Sequence, residues 1–377
     1  MKKIYNFYRK MLPLGAAILL FCTSLNAQEH KHFYSNFNIL TVEPPCEAET
    51  FPIVDNKYVE ITVKGILNAN QIFVGAGSAT PTHEKTFRFF TYNLGANPNM
   101  TPKEQMAYFP VLSTDMTVYG GLYQWGRSAV SHTFRCDPTP SNSSSHFTTT
   151  LIHRDTLARD HGKFIIGSNN WVTPTTNTLW GNGSGVSNQT PVSGSNNPCP
   201  AGWRVPTEHE WALLANEGGS SSSDIDDLFP PITSATLVPS GLYWVKVLNG
   251  CATPTFYFSH DGETVSRCDM CGYALYTQNE WETAVASNPG YQDGSLSLTT
   301  QNAPKPLMFL PAAGFRIFGE RRSLEFSTGQ YGTYWTSTIR YSNEVFNFTL
   351  NTMVVAAASP NYHAFGFSIR CVQEVNE

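Results

Sequence analysis

Apolar and polar positions alternate along much of this chain, and the alternation marks strands more often than helices. Tyr58-Val59-Glu60-Ile61-Thr62-Val63 alternates branched and polar residues before Gly65, and Thr86 to Leu94 is an aromatic-rich run closed by Gly95. From Leu307 onward the pattern predicts successive strands over Leu307–Leu310, Tyr334–Ile339, Val345–Leu350 and Ala364–Val372, the last expected to pair back near the start of the domain. Helices are marked by their caps. Thr101-Pro102-Lys103-Glu104 has a capping threonine, a proline at the first helical position and a glutamate that can return a hydrogen bond. Thr207 and Glu210 repeat that arrangement ahead of Trp211, Leu213 and Leu214, with Gly218-Gly219 as the stop; Thr277 and Glu280 repeat it again ahead of Trp281. These two helices either dock alike on one sheet or share only a common cap.

Between Arg127 and Cys199 the periodicity fails. Residues 137–198 are crowded with Ser, Thr, Asn, Gly and Pro, which predicts surface loop pinned in part by Trp171 and Trp180. The layout is α+β: two main helices, an antiparallel sheet and long loops. Composition agrees, with 14% charged and 13% aromatic residues beside 28 Gly and 24 Pro, as in loop-rich β structure. A net charge of −5 provides no basic footprint for nucleic acid.

The first residues set the expected compartment. Lys2, Lys3, Arg9 and Lys10 precede an apolar run from Met11 to Cys22, and Ala27 offers a small residue for cleavage, so residues 1–27 read as a secretory signal peptide. Cys22 raises the alternative of a lipid anchor, although Phe21 before it is a poor fit to that pathway. Residues 28–84 read as a β-rich N-terminal segment appended to a main domain at 85–377. No later run is apolar enough for a spanning helix. Cys46, Cys136, Cys199, Cys251, Cys268, Cys271 and Cys371 follow the leader, an odd number suited to an oxidising compartment, and spacing alone leaves their connectivity open.

Several segments together resemble a known family. Asn93-Leu94, Tyr119-Gly120-Gly121-Leu122-Tyr123-Gln124-Trp125, Cys199-Pro200-Ala201-Gly202-Trp203-Arg204-Val205-Pro206-Thr207, Glu210-Trp211, Leu310 to Arg316, Tyr334 to Thr338 and Arg370-Cys371-Val372 look like the Fibrobacter succinogenes major paralogous domain, over about 86 to 374. The resemblance implies a C-type-lectin-like fold, shared with the formylglycine-generating sulfatase-modifying enzymes. It also implies export in Bacteroidetes-type bacteria, sometimes on surface or fimbrial components. A Cys199–Cys371 disulfide is implied as well, with core packing for Trp203, Trp211 and Trp335. The calcium and sugar motifs Glu-Pro-Asn, Gln-Pro-Asp and Trp-Asn-Asp are missing from the sequence, which argues against calcium-dependent sugar binding.

Other chemistry is sparse. Cys251, His260, Cys268 and Cys271 could complete a tetrahedral zinc site, but nine residues separate Cys251 from His260, so a disulfide from Cys251 to Cys268 or Cys271 is the favoured reading, ahead of zinc or a redox thiol. Asp224, Asp226 and Asp227 could offer calcium oxygens, and more simply form a solvated loop. No Gly-x-Ser-x-Gly elbow is present, and His209-Glu210 lacks the second histidine of a zinc-protease helix. No cofactor is expected. Trp171, Trp180, Tyr331 and Tyr341 are the candidates for ligand contact, because exposed rings can stack on sugars or anchor an interface. The expectation is a non-enzymatic secreted or cell-surface protein that binds a glycan or protein through its loops. Two alternatives stand beside it: a structural or adhesive subunit of a surface assembly, which an exposed unpaired strand in the N-terminal segment would favour, and an enzyme derived from the sulfatase-modifying fold.

Overall fold

The computed structural model describes residues 51–69, 71, 73–75, 79–108, 115–128, 131–136, 143–181, 192–215, 236–238, 241–248, 255–258, 264–267, 270–287, 295–297, 304–317, 327–351 and 355–375. The elements that matter below run in chain order: β1 (Tyr58–Leu67), β2 (Phe73–Gly75), β3 (His83–Phe90), α1 (Pro102–Ala107), α2 (Met116–Tyr119), β4 (Tyr123–Gln124), α3 (Glu208–Ala215), β5 (Thr236–Val238), β6 (Leu242–Leu248), β7 (Met270–Thr277), α4 (Gln278–Ser287), β8 (Ser295–Ser297), β9 (Met308–Pro311), β10 (Tyr331–Tyr341), β11 (Glu344–Asn351), β12 (Val355–Tyr362), β13 (Gly366–Phe367) and β14 (Val372–Glu374). The fold is mixed and strand-rich, with short helices and several small sheets.

One sheet runs β2-β1-β3-β14, a second runs β8-β6-β7-β9 with β5 beside β6, and a third runs β10-β11-β12. The last strand pairs back on the first part of the chain as expected, with Val372 opposite Phe89. Strand β1 alternates as its sequence demands: Ile61 and Val63 point into the core, while Tyr58, Glu60, Thr62 and Lys64 are exposed. It pairs with β3 over eight residues, from Tyr58 opposite Phe90 to Gly65 opposite His83. The boundary expected at residue 84 therefore falls inside a paired sheet, in which β1 and β2 join β3 and β14. The physical reason is burial: Ile61 and Val63 are covered in the same core cluster as Phe87 and Phe89 of β3 and Trp211 of α3.

All three predicted capping boxes form. In α1, Glu104 N donates to Thr101 Oγ1 at 3.2 Å and Thr101 N donates to Glu104 Oε2 at 2.7 Å. In α3 the equivalent bonds measure 3.1 and 2.8 Å, and at the start of α4 they measure 3.3 and 3.1 Å. The two tryptophans that follow occupy different places. Trp211 on α3 lies in the central core, stacked on Phe348 at 4.4 Å and close to Phe89 and Tyr334. Trp281 on α4 packs beside Tyr276 and Tyr243 on the other side of the second sheet. Each helix thus covers an aromatic patch, but they do not share one face.

Cys199 and Cys371 are bonded across a sequence separation of 172. A closure of that length contributes about 5 kcal/mol in the chain-entropy account. It fixes the segment entering α3 to the strand that completes the first sheet, where Arg204 and Val372 exchange backbone hydrogen bonds at 3.0 and 2.9 Å.

Candidate functional site

The residues that carry the sequence motifs converge, and they converge inside the protein. Arg370 is fully buried and donates to Phe90 O at 3.1 Å, to Asn93 Oδ1 at 2.7 Å and to Phe309 O at 2.7 Å. Asn93 in turn donates to Tyr119 O at 3.0 Å, and the Tyr334 hydroxyl donates to Pro311 O at 2.9 Å. Five motif segments are tied together in this way. Burial pulls the Arg370 guanidinium down to about 10 and pushes the Tyr334 phenol up to about 12, so near neutral pH one stays charged and the other neutral. Gly120 is needed where the chain turns beside Asn93: its φ is +68°, and a Cβ there would lie 2.7 Å from Leu94 O.

A second buried layer is aromatic. Trp125 Nε1 donates to Thr336 O at 2.9 Å, and Trp335 Nε1 donates to Tyr123 O at 2.6 Å, so each indole caps a backbone carbonyl from a distant strand or turn. Gln124 uses its whole amide, donating to Ile165 O and Ala364 O and accepting from Ile165 N and Arg127. Arg127 also pairs with Asp160 and lies over the Trp171 ring at 5.6 Å. Arg316 is enclosed by Phe134, Phe147 and Phe164, its guanidinium 4.8–5.6 Å from the three ring centroids.

These contacts correct two of the ligand candidates. Trp171 is 1% exposed and Trp180 is fully buried. Their indole N–H groups donate inward, to the carbonyls of Trp125 and Arg127 respectively. Both rings pin the 143–181 segment to the body, so neither presents a face to a ligand. Tyr331 is half-buried and meets Phe315 edge-on at 5.5 Å. Tyr341 alone of the four is open, at 59% exposure. It lies at the tip of the β10–β11 hairpin, with the Arg340 guanidinium 4.9 Å from its ring centroid and Glu344 3.9 Å from Arg340. Arg340 and Glu344 were not singled out from the sequence. The signal that could have found them is the two-residue Ser342-Asn343 link between alternating runs, which places its flanking residues at an exposed tip.

Three of the described histidines, His132, His209 and His363, are turned inward, whereas His83, His153 and His161 are exposed. His363 is buried against Trp125, 4.7 Å between ring centroids, and loss of solvent takes it down to about 3. His132 is buried beneath Tyr123 and is likewise held well below its ordinary value, by desolvation first and then by Arg127 and His161. His209 Nε2 meets Phe73 O at 2.8 Å, anchoring β2 to α3. Glu210, reached from Arg204 through 2.6 and 2.5 Å bonds, is kept ionised by that guanidinium and by the Thr207 cap despite its burial. It acts as a structural anion. Cys251, His260, Cys268 and the three aspartates at 224, 226 and 227 lie outside the described residues, so the zinc, disulfide and calcium readings there are untouched; Cys271 is buried on β7. Cys136 is disulfide-bonded.

The geometry can be set beside known proteins. A family model for the Fibrobacter succinogenes major domain matches residues 68–373, about four fifths of the chain. No curated protein and no solved structure matches it.

Proposed function

The chain belongs to the Fibrobacter succinogenes major domain family, and from that premise we propose that it is an exported, non-enzymatic binding protein of C-type-lectin-like fold that meets a glycan or protein ligand outside the cell. The observation that carries this reading is the division of labour between buried and exposed residues. The motif side chains with the most chemistry, Arg370, Asn93, Gln124 and Glu210, hold backbone and each other in the core, with Arg127 beside Gln124. Tyr341 and Arg340 stand at a hairpin tip instead, offering one aromatic face and a cation beside it. Such a pair suits a sugar ring or an extended peptide, through stacking and charge-assisted hydrogen bonds. Cys199–Cys371 and the basic-then-apolar leader support an oxidising, extracytoplasmic setting. Either free secretion or anchoring at the outer surface, with Cys22 as one means, fits this setting. Without the sequence motifs of calcium lectins, binding is expected to be calcium-independent.

The test is a glycan and protein binding screen of the mature chain, with and without calcium, run beside Tyr341→Ala. Retention of every interaction by that variant would remove the hairpin from the account.

A second reading, a structural or adhesive subunit of a surface assembly, has its own support in strand β1. Beyond Gly65–Leu67, where β2 pairs, its outer edge has no strand beside it among the described residues. An open edge of this kind is a ready template for a strand from another chain.

A further inference from the structure

From Tyr58 to Lys64, strand β1 is paired on one side only among the described residues. Thr91 N donates to Lys57 O at 3.0 Å, which makes Lys57 and Thr91 a hydrogen-bonded pair and fixes the parity of the ladder. Val59, Ile61 and Val63 therefore bond to β3, while the N–H and C=O groups of Tyr58, Glu60, Thr62 and Lys64 point away from it. The side chains of those four residues are exposed. Natural edges are commonly blunted by proline, bulges or charges lying over them. From Tyr58 to Lys64 there is no proline and no register shift, and the Glu60 carboxylate is drawn back across the sheet to Arg88 at 2.9 Å.

We propose that this edge takes the same edge of a second copy of the chain, in a continuous antiparallel sheet built across a two-fold axis. The open stretch is centred on Ile61. A two-fold axis there sets Tyr58 opposite Lys64 of the second copy and Glu60 opposite its Thr62, so every outward backbone group meets a partner and no like charges oppose each other. The neighbouring registers are worse. Sliding two residues one way brings Tyr58 and Val59 of the second copy opposite Ile66 and Gly65, the places that Val74 and Gly75 of β2 already take, whereas in the Ile61-centred register only Lys57, outside β1, comes opposite Gly65. Sliding two residues the other way sets Glu60 against Glu60, a like-charge pair that destabilises a ladder. The strand thus carries its own stop at one end and its own charge rule at the other. This inference rests on the surface-assembly reading and names its partner.

Seven paired residues a side make a small interface, so association is expected to be weak and concentration-dependent. The full mature chain is compared at about 5 and about 500 µM by sedimentation velocity and by amide hydrogen exchange. The expected result is a dimer at the higher concentration, with exchange slowed at Tyr58, Glu60, Thr62 and Lys64 only in the dimer and slow at Val59, Ile61 and Val63 throughout. Thr62→Pro, which removes an amide the single subunit does not use, is expected to stay monomeric at both concentrations. A monomer at 500 µM with fast exchange at the even-numbered positions overturns the proposal. So does a dimer that leaves those amides fast, or slow exchange there in the monomer, which would mean that the edge is covered by something else. Failure of the homotypic pairing leaves assembly with other subunits to a separate readout: whether Thr62→Pro displaces the protein from the cell surface.

Discussion

Arg370 shows how a single residue can set the limits of a fold. Its partners are the neutral oxygens of Phe90, Asn93 and Phe309, so the charge is balanced by aligned dipoles and not by a carboxylate. Replacing it with alanine strands several buried acceptors, and Arg370→Ala is expected to lose about 3–5 kcal/mol in urea denaturation. The buried histidines make a prediction about pH. His132, His209 and His363 all have folded values below the ordinary 6.5, from desolvation first in each case. The unfolded chain then takes up protons that the folded chain refuses. Stability is complete above about pH 6.5 and declines as pH falls toward about 3 for His363, by up to about 1.4 kcal/mol per pH unit for each histidine. His363→Phe should flatten that decline between pH 6.5 and 4.5, measured as the urea midpoint against pH. Little of this was legible in the sequence. Arg370 stood out as part of a motif, but its partners come from positions as far as 280 residues away. Trp171 and Trp180 failed for the same reason: their acceptors lie 46 and 53 residues back in the chain, and a polar neighbourhood disguised two core residues as loop aromatics.

Elements were easier to read than contacts, because caps and alternation are local. Thr101-Glu104, Thr207-Glu210 and Thr277-Glu280 each fold into the box that four residues specify. Their energetic weight differs with burial, which the motif does not encode. The Thr277 box is exposed, so Thr277→Ala should cost about 1 kcal/mol, as for an ordinary cap. Glu210 is buried and also holds Arg204 in a two-point pair. Glu210→Ala leaves that guanidinium without its carboxylate, and a loss of about 3–5 kcal/mol is expected, read by chemical denaturation of both variants side by side. Strand β1 was recognised from its alternation, while its membership in the main sheet was not. Pairing is a non-local choice, made here because Ile61 and Val63 are buried in one cluster with residues of β3 and α3.

Across the whole molecule, the motif order that runs from Asn93 to Val372 is the record of one packing arrangement, closed by the Cys199–Cys371 bond. A doubly substituted Cys199→Ser, Cys371→Ser chain should lose about 2–5 kcal/mol in urea denaturation. What the sequence resembles is therefore mostly a way of building a stable, disulfide-closed body, and the proposed function leaves recognition to what projects from it. Binding by Tyr341→Ala, compared with the unaltered chain on a glycan and protein array at equal thermal stability, tests that separation most directly. The account predicts at least one calcium-independent ligand for the unaltered chain and a loss of about tenfold or more in its affinity on removing the ring. Equal binding by both proteins, or no ligand for either, would contradict it.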